Sequence, residues 1–135
     1  MAAKTKIVQT TGKRKQSIAR ATLYPTGKGI VRVNHVPIQH IRPNLARERI
    51  MEPLMLAEDT ANKVNIIVRV NGGGWQGQTE AARLAIARAL VENNKKLKKT
   101  FLDYDRHLLV QDIRRKEQRK PNDSKARSAR QKSYR

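Results

Sequence analysis

Apolar and polar residues alternate through Val64-Asn65-Ile66-Ile67-Val68-Arg69-Val70, with 64, 66, 68 and 70 apolar, as one buried face of a strand requires. Ile67 breaks the alternation, so part of the second face is expected to be covered as well. Gly72-Gly73-Gly74 then ends the strand. From Trp75 onward apolar residues recur at 75, 82, 86 and 90, with Ala81, Ala85 and Ala89 beside them, which predicts an amphipathic helix reaching about Asn94. Its apolar face is mostly small. That lets the helix backbone come close to a sheet and leaves Gln76, Glu80, Arg83 and Arg88 for the outer side.

The same patterning predicts short strands over Lys6–Thr11, Ser17–Pro25 (through Ile18, Ala21 and Leu23) and Ile30–Asn34, separated by turns at 12–16 and 26–29. The first 34 residues read as an antiparallel meander. Pro37 and Pro43 bracket a connection, and Asn44 is expected to cap a helix through Leu45, Ile50 and Met51. Pro53 forbids a straight continuation, so a kink or two short helices are expected, the second holding Leu54, Met55 and Leu56, with the methionines filling the core. Phe101, Leu102, Leu108, Leu109 and Val110 are the last apolar anchors. The expected order of elements is β-β-β-α-β-α.

Charge changes this picture more than any other property. Of 135 residues, 30 are Lys or Arg and 11 are Asp or Glu, a formal charge of +19. Such a chain repels itself and seeks a polyanion. Ten of the cations and three of the acids fall in residues 112–135, so a globular body over 1–111 and a basic C-terminal extension over 112–135 are expected. With no cysteine, disulfides and thiolate metal sites are excluded, and a cytoplasmic setting is compatible. No signal-peptide core and no run near the ~18–20 apolar residues of a membrane span is present, so no membrane partner is expected.

Chemistry is sparse. His35, His40 and His107 share no ligand spacing, and no nucleophile motif accompanies the closest acids, Glu58-Asp59 and Asp103-x-Asp105, which are expected to pair with nearby cations. No enzyme, metal or cofactor is expected. Gly72-x-Gly74-x-x-Gly77 matches the dinucleotide-binding fingerprint letter for letter. The fingerprint also needs a further strand and an acid about 20 residues on, where this chain has Lys95, Lys96, Lys98 and Lys99. A plain strand-to-helix turn, or a nest of backbone amides for a phosphate of a larger anion, remains.

Nucleic acid is the partner that fits, by its phosphates. The aromatic residues Tyr24, Trp75, Phe101, Tyr104 and Tyr134 are dispersed, so base stacking is not the main mode, and zinc ligands and a basic zipper are missing. Lys13, Arg14 and Lys15 form a cationic turn whose repulsion an anion would relieve. The lysines at 95–99 read either as a phosphate contact or as a solvated helix end. Fixing the 24 backbones of the extension would cost about 24–48 kcal/mol, against ~0–1 kcal/mol for each surface ion pair, so the arm is expected to be disordered until a partner surrounds it. Large folded RNA offers crevices lined by phosphate. A general DNA-compacting protein and a nucleotide-dependent enzyme built on Gly72–Gly77 are the rival readings.

Thr11-Gly12-Lys13-Arg14-Lys15-Gln16-Ser17-Ile18-Ala19-Arg20-Ala21, the glycines at 72–74 with Gly77-Gln78, the run Ala81-x-Arg83-x-x-Ile86-Ala87-Arg88-Ala89-Leu90, and the ending Gln131-Lys132-Ser133-Tyr134-Arg135 carry a resemblance. In these motifs, in this order, the chain resembles the universal small-subunit ribosomal protein "nine" family, in its archaeal and eukaryotic branch. Pro121-Asn122-Asp123 departs from it where relatives usually have glycine, though Asn tolerates left-handed backbone. The resemblance implies an α+β fold: a two-layer α/β sandwich with a mixed four-stranded sheet, related to the second domain of small-subunit protein "five", plus an extended basic tail. It implies a ribosomal RNA-binding set of Lys13, Arg14, Lys15, Arg20, Gly72, Gly73, Gly74, Gln76, Arg83, Lys95, Lys96, Lys99, Arg114, Arg115, Lys116, Arg119, Lys120, Arg127 and Arg130. Lys132, Tyr134 and Arg135 would approach the anticodon stem-loop of peptidyl-site tRNA. The implied place is the head of the small subunit of cytoplasmic ribosomes, beside neighbouring ribosomal proteins.

Overall fold

Strands β1 (Val8–Arg14) and β2 (Ser17–Tyr24) form a hairpin closed by Lys15 and Gln16, with Arg14 opposite Ser17 and Val8 opposite Leu23. A computed structural model describes residues 6–129, 131 and 134 of the chain. Lys15 takes the left-handed conformation (φ 52°) that so short a turn demands. Gly12, Lys13 and Arg14 are therefore strand residues, and the turn expected at 12–16 shrinks to two. The inward row of β1 is Val8, Thr10 and Gly12, which the sequence disguises because one member is polar and another has no side chain. In β2 the inward residues are Ser17, Ala19, Ala21 and Leu23, while Ile18 points out.

The expected meander stops at this hairpin. The other neighbour of β2 is β5 (Asn65–Asn71), antiparallel, and β3 (Val31–Val33) lies parallel to β5 on its far side. A two-residue strand β4 (Val36–Pro37) completes the order β1-β2-β5-β3-β4, so the sheet has five strands where four were expected. Both β4 residues are exposed and one is proline, so no alternation could announce it. Asn34 and His35, at φ 46° and 69°, make the β3–β4 turn. Side chains hold β5 in its slot. Asn65 Oδ1 accepts from the N–H groups of Lys28 (2.9 Å) and Ile30 (3.1 Å), and Asn34 exchanges two hydrogen bonds with the Val70 backbone.

The helices gather on one face of the sheet. Helix α1 (Asn44–Leu56) begins after Pro43, with Asn44 inside its first turn and making no side-chain cap. Pro53 lies within α1 with its ring buried, and the break falls at Ala57 before the short α2 (Glu58–Ala61). Helix α3 (Trp75–Asn93) lies on β1, β2 and β5 with α1 against its flank. Burial on two sides takes in Leu84 and Ala87 as well as the expected face, while Trp75, at the end, is half-exposed. Lys98 and Lys99 do not extend the C-terminus of α3; they open α4 (Leu97–Tyr104). Phe101 and Leu108 are fully buried, whereas Leu102 and Val110 are exposed, as is Met55. Beyond the 3₁₀ turn at Arg106–Leu108, the described residues form no helix or strand.

Gly12 is the closest point of the α3–sheet packing. A Cβ there would press into the carbonyl oxygen of Ala81 and sit 2.8 Å from the amide nitrogen of Ala85, both rigid backbone. Beside it the Thr10 hydroxyl donates to the Ala85 carbonyl at 2.7 Å. Gly12→Ala is expected to destabilise the body by about 1–3 kcal/mol through overpacking, read as a lower thermal midpoint by circular dichroism.

Candidate nucleic-acid interface

Gly72 and Gly73 adopt φ 75° and 66°, turning the chain from the end of β5 into α3. Both are held against β2. The Ser17 hydroxyl, almost fully buried, donates to the Gly72 carbonyl at 2.9 Å, and a Cβ at Gly73 or Gly77 would collide with that hydroxyl. At Gly74 a Cβ would meet nothing within 4 Å. This is the N-cap of α3, extended and without a side-chain cap, and no acid stands in the first turn. The first N–H groups of a helix lack intrahelical acceptors, and the dipole makes this end attractive to anions.

Cations converge on that helix end. An open cleft of about 920 Å³ is lined by Lys15, Gln16, Gly73, Gly74, Gln76 and Gly77, with Arg114, Arg115 and Lys116 of the extension closing its other side. A set of ion pairs fixes the rim. Arg14 pairs with Glu80 of α3 (2.5 Å) and with Asp112 (3.0 Å), and Asp112 also takes Arg114 in a forked contact. The Arg114 hydrogen bond holds the Asp112 carboxyl far below the usual carboxylate range. Arg88 donates to the carbonyls of Thr11 (2.8 Å) and Leu109 (3.0 Å), tying the start of the extension to β1. On the flank of α3, Arg83 bridges Glu52 of α1 and Asp105.

The topology removes the dinucleotide reading. A fingerprint helix must lead to a further strand, yet β5 is the last strand among the described residues, and Gly77 answers to Ser17. Among the described residues no group of His, Asp and Glu could hold a metal, and His35, His40 and His107 are exposed. No helix among them is long and apolar enough to cross a membrane.

Comparison with known proteins agrees with the resemblance. The family described as ribosomal protein S9/S16 matches residues 12–135. The chain belongs to this family. Small ribosomal subunit protein uS9 of Desulfurococcus amylolyticus is 50% identical over 134 residues, covering 98% of this chain and 95% of that protein. Small ribosomal subunit protein uS9 of Methanothrix thermoacetophila is 46% identical over 132 residues, covering 96% and 99%. As an S9/S16 ribosomal protein, the chain is structural and not an enzyme.

Within this S9/S16 member the sequence-predicted residues fall into separate places. Lys15, Gly73, Gly74, Gln76, Arg114, Arg115 and Lys116 meet in the cleft, with Gly72 supporting it and Arg14 lining it while committed to two carboxylates. Arg83 is occupied by Glu52 and Asp105. Lys13 is exposed on β1 and Arg20 on the outer face of β2. Lys95, Lys96 and Lys99 are exposed at the opposite end of the 19-residue α3, about 28 Å away at 1.5 Å per residue. Arg119 and Lys120 are exposed in the extension, and Arg127 there forms a forked pair with Glu117. Asn122 takes φ 62°, the left-handed conformation that Asn tolerates. Tyr134 is exposed; Arg130, Lys132 and Arg135 lie outside the described residues. The anchoring roles of Asp112 and Arg88 had no sequence signal, since Asp112 meets Arg14 from 98 positions away (112 − 14) and Arg88 meets backbone carbonyls, that of Thr11 77 positions away.

Burial disfavours the ionised form of Asp105, but the His107 N–H, the Arg83 hydrogen bond and the nearby positive charges together hold its carboxyl below the usual value. A carboxylate so depressed stabilises the fold above its unfolded pKa of about 3.9, and that contribution fades as pH falls through the folded value. Asp105→Asn should therefore cost about 1 kcal/mol at neutral pH, as for one partly exposed charged hydrogen bond. The gap between the variant's thermal midpoint and the parent's should close in strongly acidic buffer.

Proposed function

We propose that this chain is a structural constituent of the small ribosomal subunit that binds ribosomal RNA through the cleft at the N-terminus of α3. The observation that carries this reading is the meeting of an uncapped helix end with Lys15, Arg114, Arg115 and Lys116 in one open depression. Two relatives of nearly the same length are named as small-subunit proteins. Phosphate, with charge and several acceptors per group, satisfies both the amides and the cations. Residues 1–111 act as the RNA-binding body, and the extension over 112–135 leaves from the rim of the cleft. Following the family resemblance, the body sits in the subunit head among neighbouring ribosomal proteins, and Lys132, Tyr134 and Arg135 reach the anticodon stem-loop of peptidyl-site tRNA. Contacts to tRNA phosphate are independent of tRNA sequence.

Binding dominated by ~6–10 phosphate contacts loses about 10³–10⁵ in affinity between roughly 50 and 200 mM salt. Filter binding of the full chain to small-subunit RNA should show that fall, and salt-insensitive binding would contradict the reading. Deleting Tyr134 and Arg135 should leave the thermal midpoint of the free protein unchanged, because Tyr134 is exposed, while weakening peptidyl-site tRNA retention by reconstituted subunits. Undiminished retention would remove the extension from tRNA holding.

A further inference from the structure

The face of the sheet turned away from α3 carries a pattern that the cleft does not use. Arg20 of β2 lies directly opposite Arg69 of β5, and one row along, Ile67 lies opposite Arg32 of β3. All three arginines are exposed. Like charges facing each other across two strands destabilise a sheet unless something neutralises them. Nothing among the described residues does so. The ion pairs among the described residues join Arg14, Arg49, Arg83, Arg114 and Arg127 to their acids, and Arg20, Arg32 and Arg69 take part in none. The five strands contain no Asp or Glu at all. The acids that pair with arginines lie on the helical side and in the extension, and the outer sheet face carries cations without an acid.

Between the arginines the surface is shaped to receive a ligand of some size. A shallow depression of about 760 Å³ is lined by Thr11, Arg20, Thr22, Ile67 and Arg69. The hydroxyls of Thr11 and Thr22 stand beside the charges, and the one aromatic on this face, Tyr24, is half-buried, so no platform for stacking bases is offered. Four strands at about 4.8 Å spacing give a strip roughly 15–19 Å across. Double-stranded RNA, which displays phosphates and 2′-hydroxyls across a wide shallow minor groove, fits a flat cationic strip with interspersed hydroxyls.

We propose that the outer sheet face is a second RNA-docking surface, taking the sugar-phosphate backbone of a double-stranded segment through Arg20, Arg32 and Arg69. The body then bridges two RNA segments, one at the cleft and one behind the sheet. This rests on the ribosomal RNA reading above and deepens it. The like-charge pair Arg20–Arg69 stands unrelieved in the free protein and is neutralised when the RNA docks.

The chain has no cysteine, so single-cysteine variants report without background. Thr11→Cys on the sheet face and Gln76→Cys in the cleft, each carrying tethered Fe(II)-EDTA, are assembled with small-subunit RNA and the cleaved positions are mapped. Both probes should cut, at different RNA segments, with the Thr11→Cys cuts in double-stranded RNA. In parallel, Arg20→Ala/Arg69→Ala should lower the slope of log affinity against log salt by about 2, one per lost phosphate contact, while the thermal midpoint of the free protein holds or rises. A silent Thr11→Cys probe beside an active Gln76→Cys probe, or an unchanged salt slope, overturns the sheet-face inference and leaves the cleft reading standing. Crosslinking of the Thr11→Cys position to a neighbouring ribosomal protein in place of RNA also overturns it. Silence from both probes would overturn the cleft reading itself.

Discussion

The approach of α3 to the sheet at Gly12 is the constraint on which the rest of the structure depends. A helix can lie this close only where its partner strand lacks a side chain and its own face is built of alanines, and Gly12 opposite Ala81 and Ala85 meets both conditions. Apolar burial stabilises in rough proportion to area and without direction, so it does not by itself place the helix. Gly12 and the Thr10–Ala85 hydrogen bond do that. Once α3 is seated, its N-terminus falls beside the β1–β2 turn, where Gly73 and Gly77 close against Ser17.

The seating of α3 also sorts the charges. Its outer flank carries Glu80 and Arg83, which link it to Arg14, Arg49, Glu52 and Asp105, so several of the few acids are consumed in joining hairpin, helices and extension. Asp112 belongs to the same arrangement: held ionised by Arg114 and facing Arg14, it sets where the extension leaves the body. Among the described residues, other cations take part in no ion pair and face outward around the cleft, on the bare side of the sheet, at the far end of α3 and along the extension. A protein of formal charge +19 holds together because its repulsion is directed outward, toward a polyanion that would relieve it.

The structure shows why particular sequence signals misled. The Gly72–Gly77 fingerprint is real as a strand-turn-helix junction, but left-handed backbone accounts for Gly72 and Gly73 and the Ser17 side chain for Gly73 and Gly77, as a tight junction against a neighbouring strand demands. Three cations in a row at 13–15 looked like one exposed patch. Strand alternation separates them: Lys13 faces out, Arg14 turns to carboxylates at the cleft's rim, and Lys15 reaches the cleft from the turn.

Local pattern indicated a strand over residues 64–70, one position from β5, the long helix after it, the basic character of body and extension and the likeness to the S9/S16 family, because alternation, helical period and motif order are properties of neighbouring residues. Only the tertiary structure decided that β5 slots between β2 and β3, that a fifth strand lies at the edge, that Arg83 and Arg88 serve the fold, and that the cations of the body divide among separate surfaces. The reason is range. Strand order and ion pairing join residues tens of positions apart, and a charge reads the same in sequence whether or not a distant acid has already claimed it.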